Sequence, residues 1–226
     1  MPKKKSPGTR AVAPAKNTNL AKRPERIAIA GTEIRPEQVY VVKDHRPRVP
    51  GPWSEEPIDK LAWRDAETGL DCILLRQPSG VWGGYVAVAP GHPLYGYRED
   101  AIPGAANLDP HGGVDYAQQC SRAGPEETQV CHVRSYGHTG PTAADQAMDH
   151  AWWFGFAADK PGDLVPGSSK PVLAREEGET YRTIDYMYSE TTRLACQLKD
   201  MDGSASIDAN PKLGQPLPRL GKPEER

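Results

Sequence analysis

The stretch AWWFGFAADKPGDL (Ala151–Leu164) decides how the rest of the chain is read. Trp152, Trp153, Phe154 and Phe156 crowd together and run directly into Asp159, Lys160 and Asp163. Bulky, β-favouring side chains on both faces mark a central strand. Trp152, Phe154 and Phe156 alternate onto one face and Trp153 onto the other. Asp-Lys-Pro-Gly-Asp has the chemistry of a turn, which by itself accounts for those residues. The competing reading is functional, because a carboxylate just beyond a strand can orient a histidine or hold a metal.

Working outward, LDCILL (Leu70–Leu75) and VWGGYVAV (Val81–Val88) read as two more strands joined by the turn-forming RQPSG. Gly83 and Gly84 inside the second imply a bulge or a close backbone approach. QVCHVRSY (Gln129–Tyr136) alternates well enough to predict a further strand. Thr180–Asp200 predicts an amphipathic helix: Ile184, Met187, Thr191, Leu194 and Leu198 step by three and four, with Thr180 as its cap. The expected class is α+β, a small, mostly antiparallel sheet with a C-terminal amphipathic helix packed on it.

The flanks differ from this body. Residues 1–52 are rich in Pro, Lys and Arg and read as a basic, largely disordered arm, in which VYVV (Val39–Val42) could add a strand. Residues 53–202 form the expected single domain, and 203–226, with repeated prolines, a disordered tail. Residues 1–26 hold eight basic side chains against one acid, Glu25, while the whole chain of 226 residues carries −2. A basic arm on an acidic body makes nucleic acid a possible partner through residues 1–26. Mean hydropathy is low, −0.67. Nothing approaches the roughly 18 consecutive apolar residues of a membrane span, and no apolar run follows Lys3–Lys5. The expectation is a cytoplasmic protein without a membrane partner, its four cysteines reduced.

Pro90–Asp149 is poor in apolar residues and contains His92, His111, His132 and His138, so a site is expected near it. His111 precedes Gly112 and Gly113, which free the backbone to approach a ligand. Cys131 and His132, with His111, offer sulfur and imidazole ligands of the kind zinc takes, although no CxxC or HExxH spacing is present. A short helix starting near Pro141, with Thr142 and Asp145 as a capping box, could hold an anion. These residues suggest a small polar or anionic ligand lined by His111, Gly112, Gly113, His132, Lys160 and Asp163. A metal-dependent hydrolase using His111, Cys131 or His132, and Asp163 is the enzymatic alternative.

Taken in order, GYVAVAPGHPLYG, HGG, CHV, WWFGFAADKPGDL and YRTIDYMYSETTRLACQL resemble a family of uncharacterised proteins common in tailed bacteriophages and prophages. The resemblance runs from about Trp53 to Leu198 and implies a phage-type accessory protein with no settled activity. Where the family pattern has an aspartate after FGF this chain has Ala157, and where it has a histidine this chain has Lys160; Asp163 matches. A fixed positive charge at Lys160 suits an anion better than a metal.

Overall fold

The structure is a computed structural model that describes residues 24–120, 124–131, 150–167 and 178–203. Eight strands and one long helix organise these residues: β1 (Ile27–Ile29), β2 (Thr32–Ile34), β3 (Pro36–Tyr40), β4 (Lys60–Arg64), β5 (Asp71–Arg76), β6 (Trp82–Val88), β7 (Tyr116–Gln119), β8 (Trp152–Ala157) and α1 (Ile184–Gly203). A β1–β2 hairpin stands apart from a six-stranded sheet of order β3-β4-β5-β6-β8-β7. Every pairing between these strands is antiparallel. The class is α+β. Among the described residues, no helix is long and apolar enough to cross a membrane.

The aromatic run forms β8, an interior strand between β6 and β7. Phe154 and Phe156 bury against α1 with Leu74, Val86, Met187 and Leu194, whereas Trp153 joins Ile73, Leu75, Tyr85 and Ala87 on the opposite face. The Gly83–Gly84 pair is not a bulge, because the β6–β8 register runs unbroken through Gly83–Ala157 and Gly84–Phe156. It is a close approach: a Cβ on Gly84 would overlap Thr191 Oγ1 and the Phe156 ring. The helix therefore settles on the sheet where β6 has no side chain.

The helix begins at Ile184, four residues after the expected cap. Thr180 is held in extended pairing instead, its amide donating to the Gly162 carbonyl and its carbonyl accepting from the Leu164 amide, both at 2.9 Å. Capping falls to Thr183, whose Oγ1 accepts from the Tyr186 amide at 3.4 Å, and to Glu56, whose Oε1 accepts from the Ile184 amide at 2.8 Å. Of the strand expected over Gln129–Tyr136, Gln129–Cys131 is not a strand and the rest lies outside the described residues. The edge position beside β8 belongs to β7.

The sheet starts well before Trp53, since β3 lies inside the stretch read as an arm and pairs with β4. A buried polar network explains why. Arg76, fully buried, donates to Glu56 Oε2 at 2.5 Å, Asp59 Oδ1 at 2.8 Å, the Gly80 carbonyl at 3.0 Å and Tyr181 Oη at 2.9 Å. Glu56 Oε2 also accepts from Trp82 Nε1 at 3.0 Å and Tyr181 Oη at 2.7 Å. Asp59 in turn accepts from the Val42 amide and from Arg46 Nε, each at 2.8 Å. Buried charges persist only when paired and hydrogen-bonded, and here the partners come from residues 42–59 as much as from the sheet. Residues 1–23 and 204–226 lie outside the described residues, whereas 24–52 of the stretch read as an arm carry β1, β2 and β3.

Cys120 and Cys131 are bonded to each other, with Cα atoms 5.1 Å apart, within the span of a disulfide. This corrects the expectation of four reduced thiols; Cys72 and Cys196 are free. The loop so closed crosses the sheet face opposite α1. There Lys60 of β4, fully buried, donates to the Glu126 carbonyl at 2.5 Å and lies over the Tyr40 ring. Burial pushes its ammonium down to about 8, against the opposing pull of Glu126 and Glu127.

Candidate functional site

At the end of β8 the chain makes the Lys160–Asp163 turn, closed by the Asp163 amide donating to the Lys160 carbonyl at 2.9 Å. The turn reading is correct, yet its last carboxylate points inward. Asp163 is only 4% exposed, and each of its oxygens is engaged. Oδ2 accepts from His111 Nε2 at 2.6 Å and from the Lys160 amide at 3.0 Å, and Oδ1 accepts from Arg182 Nε at 2.7 Å. Burial pushes this carboxyl up, but the hydrogen bonds from Arg182, His111 and the Lys160 amide outweigh it and hold the group below its ordinary value.

His111 reaches Asp163 from the loop between β6 and β7. A turn formed by the Gly113 amide on the Pro110 carbonyl, 2.8 Å, sets its direction, with Gly112 and Gly113 at φ +68° and +85°. Gly112 is required twice over, by that left-handed backbone and because a Cβ there would run into the Lys160 side chain. The other imidazole nitrogen, Nδ1, lies 2.9 Å from Tyr186 Oη of α1, the two rings meeting edge-on. Arg182 stacks over the Tyr186 ring, its guanidinium carbon 4.8 Å from the centroid. Burial and the nearby Glu190 push the Tyr186 phenol up, and Arg182 opposes them.

Lys160 does a different job from the one its charge suggests. Its ammonium donates to Asp115 and, at 3.1 Å, to Asp159. Asp115 also accepts from the Ala157 amide at 3.2 Å, so Lys160 fastens the start of β7 to the end of β8. Burial works against the ammonium, but these two carboxylates outweigh it and raise its pKa. The free cationic edge belongs to Arg182: among the described residues its two terminal nitrogens have no hydrogen-bond partner, and its side chain is 27% exposed.

Of the residues singled out from sequence, His111, Gly112, Gly113, Lys160 and Asp163 come together here. His132 lies outside the described residues, as does the expected short helix with Pro141, Thr142 and Asp145. Cys131 is bonded to Cys120, so its sulfur is not available as a thiolate ligand for zinc while that bond is intact. Among the described residues, no group of three or more His, Cys, Asp and Glu side chains is placed to hold a metal ion. Arg182 and Tyr186 were missed as site residues. Their signal was weak: Arg182 lies two residues before the helix and Tyr186 in its first turn, so helical spacing does not pair them.

A separate cleft of about 510 Å³ opens between the β1–β2 hairpin and α1, lined in part by Arg35, Trp63, Arg64 and Tyr188. It contains none of the residues just described. Comparison of the chain with protein-family models, curated proteins and solved structures gives no match.

Proposed function

We propose that this chain binds a small anionic ligand beside His111, with the terminal nitrogens of Arg182 as its contacts. The observation that carries this reading is the state of Arg182. Its Nε is fixed on a buried carboxylate and its plane is fixed on an aromatic ring, while its outer edge has no partner among the described residues. A planar donor fork held in that way suits phosphate or carboxylate oxygens. Lys160 serves the site as a clamp on Asp115 and Asp159 rather than as the anion's counter-charge. The resemblance to phage and prophage proteins supports an accessory role in that setting as part of the same proposal.

Calorimetric titration with inorganic phosphate and with adenosine monophosphate tests the reading. Saturable heat is expected for one or both, weakened about tenfold or more in Arg182→Ala, in line with loss of a charge-assisted contact of roughly 1.5–3 kcal/mol. A flat titration with both anions at millimolar concentration overturns it.

A further inference from the structure

From the proton order in the Tyr186–His111–Asp163 chain, we infer that Tyr186 is a nucleophile activated by His111. The site would then carry group-transfer activity on a phosphate ester whose anionic oxygens rest on Arg182. This rests on the anion site proposed above and extends it from binding to chemistry.

The argument starts at the buried end. Asp163, held ionised by Arg182 and by the Lys160 amide, can only accept hydrogen bonds. At 2.6 Å the imidazole must therefore present Nε2 with its proton. In the neutral imidazole Nδ1 is then bare, and the 2.9 Å contact is the Tyr186 hydroxyl donating into it. Hydroxyl, imidazole and carboxylate stand in the order that activates a nucleophile in hydrolytic triads, here with a phenol in first place. A raised phenol pKa does not obstruct this, because a positioned base removes the proton as the bond forms and no resting phenolate is needed.

The step balances without a cofactor. Tyr186 Oη bonds to phosphorus and the ester P–O bond breaks. The phenolic proton passes to His111 Nδ1 and stays there, while the departing oxygen, in line on the far side of phosphorus, takes a proton from solvent. Asp163 steadies the imidazolium between the two transfers. Water then attacks phosphorus from the vacated side and loses its proton to solvent, the P–Oη bond breaks, inorganic phosphate leaves, and the imidazolium returns its proton to Tyr186 Oη.

Reaction with an arylsulfonyl fluoride tests the activation without a known substrate. The Oη–S bond forms, fluoride leaves, and the phenolic proton goes to His111. Peptide mass mapping follows labelling of Tyr186 against Tyr97, an exposed tyrosine in the same chain. General base assistance predicts labelling of Tyr186 about 100-fold faster than Tyr97 in the wild type, falling to the Tyr97 rate in His111→Gln and reduced in Asp163→Asn. Tyr186→Phe removes the labelled peptide, and circular dichroism verifies that each variant is folded. Tyr186 reacting no faster than Tyr97 in the wild type, a comparison that needs no variant, overturns the inference. So does labelling that is unchanged in folded His111→Gln. Phosphate binding that persists alongside such a result leaves the anion site standing, so the two readings fail separately.

Discussion

Replacing Glu56 by alanine tests how far the buried Arg76 network holds the fold. Glu56 is 7% exposed and its two oxygens take four hydrogen bonds, from Arg76, Trp82 and Tyr181 on Oε2 and from the Ile184 amide on Oε1. Truncation removes one of the two carboxylates facing the fully buried Arg76 guanidinium and leaves Asp59, 2.8 Å away, as the other. Breaking a buried ion pair costs about 3–5 kcal/mol. The remaining carboxylate keeps the charge term at the low end. The orphaned indole N–H and the uncapped helix amide add about 1–3 kcal/mol each before relaxation. Water entering the vacated space recovers part of that, so the expected net loss is about 4 kcal/mol. At about 2–4 °C per kcal/mol for a chain of this size, the thermal midpoint should fall by roughly 8–16 °C. Urea unfolding followed by tryptophan fluorescence measures it, with the exposed neighbour Glu55→Ala as a control near zero. A Glu56→Ala loss below about 1 kcal/mol would falsify the account of Arg76 as a charge dependent on this partner.

Three further outcomes follow from the same structure. A chain beginning at Trp53 lacks β3, the Val42 amide on Asp59 and the Arg46 salt bridge, and should show no cooperative unfolding transition; a sharp transition near the full-length midpoint would contradict this. Reducing the Cys120–Cys131 bond frees a loop with a sequence separation of 11, which on chain entropy lowers stability by about 3 kcal/mol, read as a shift in urea midpoint that the Cys120→Ser/Cys131→Ser protein does not show on adding reductant. Lys60, lowered to about 8 when folded from 10.5, binds its proton more weakly in the folded state than in the unfolded one, so stability should rise as pH climbs from about 8 to 10.5. Lys60→Met should lack that rise, and parallel pH dependences for the two proteins would exclude it.

The parts of the fold legible in the sequence were those fixed by local pattern. The β5–β6 hairpin follows from two apolar runs around Pro-Ser-Gly, and α1 from its three-and-four periodicity. β8 follows from aromatics on both faces. What stayed hidden depends on partners far away in the chain. β3 was legible only in part, through the VYVV run that overlaps it at Val39 and Tyr40, and β4 not at all, because Gln38 and Lys60 bury polar groups under the loop that carries Glu126, and no local window contains both ends of such a contact. The helix start moved because Thr180 found Gly162 and Leu164 while Glu56 found Ile184. For the site, glycine beside histidine and a carboxylate after a strand were visible signals. Arg182 and Tyr186 became site residues only once α1 was laid across the end of β8. The cysteine pairing was hidden for the same reason, since the thiols were weighed by compartment rather than by the loop geometry that brings them together.

Ala157 and Lys160 are the two positions at which the sequence departs from the expected phage-protein pattern, and their surroundings bear on what each residue does here. The Lys160 stem fills the space that Gly112 leaves open, and its ammonium ties Asp115 to Asp159. The Ala157 amide donates to the same Asp115. Lys160 thus occupies the position as a fitted strut, with its charge matched by neighbours at the base of the His111 loop. A side chain in that role holds His111 at the height from which it meets both Asp163 and Tyr186. Chemistry that depended on an imidazole at position 160 would be absent here. Chemistry that depends on His111, Asp163, Arg182 and Tyr186 keeps every group it requires, and the clamp at Lys160 stiffens the loop that delivers the first of them.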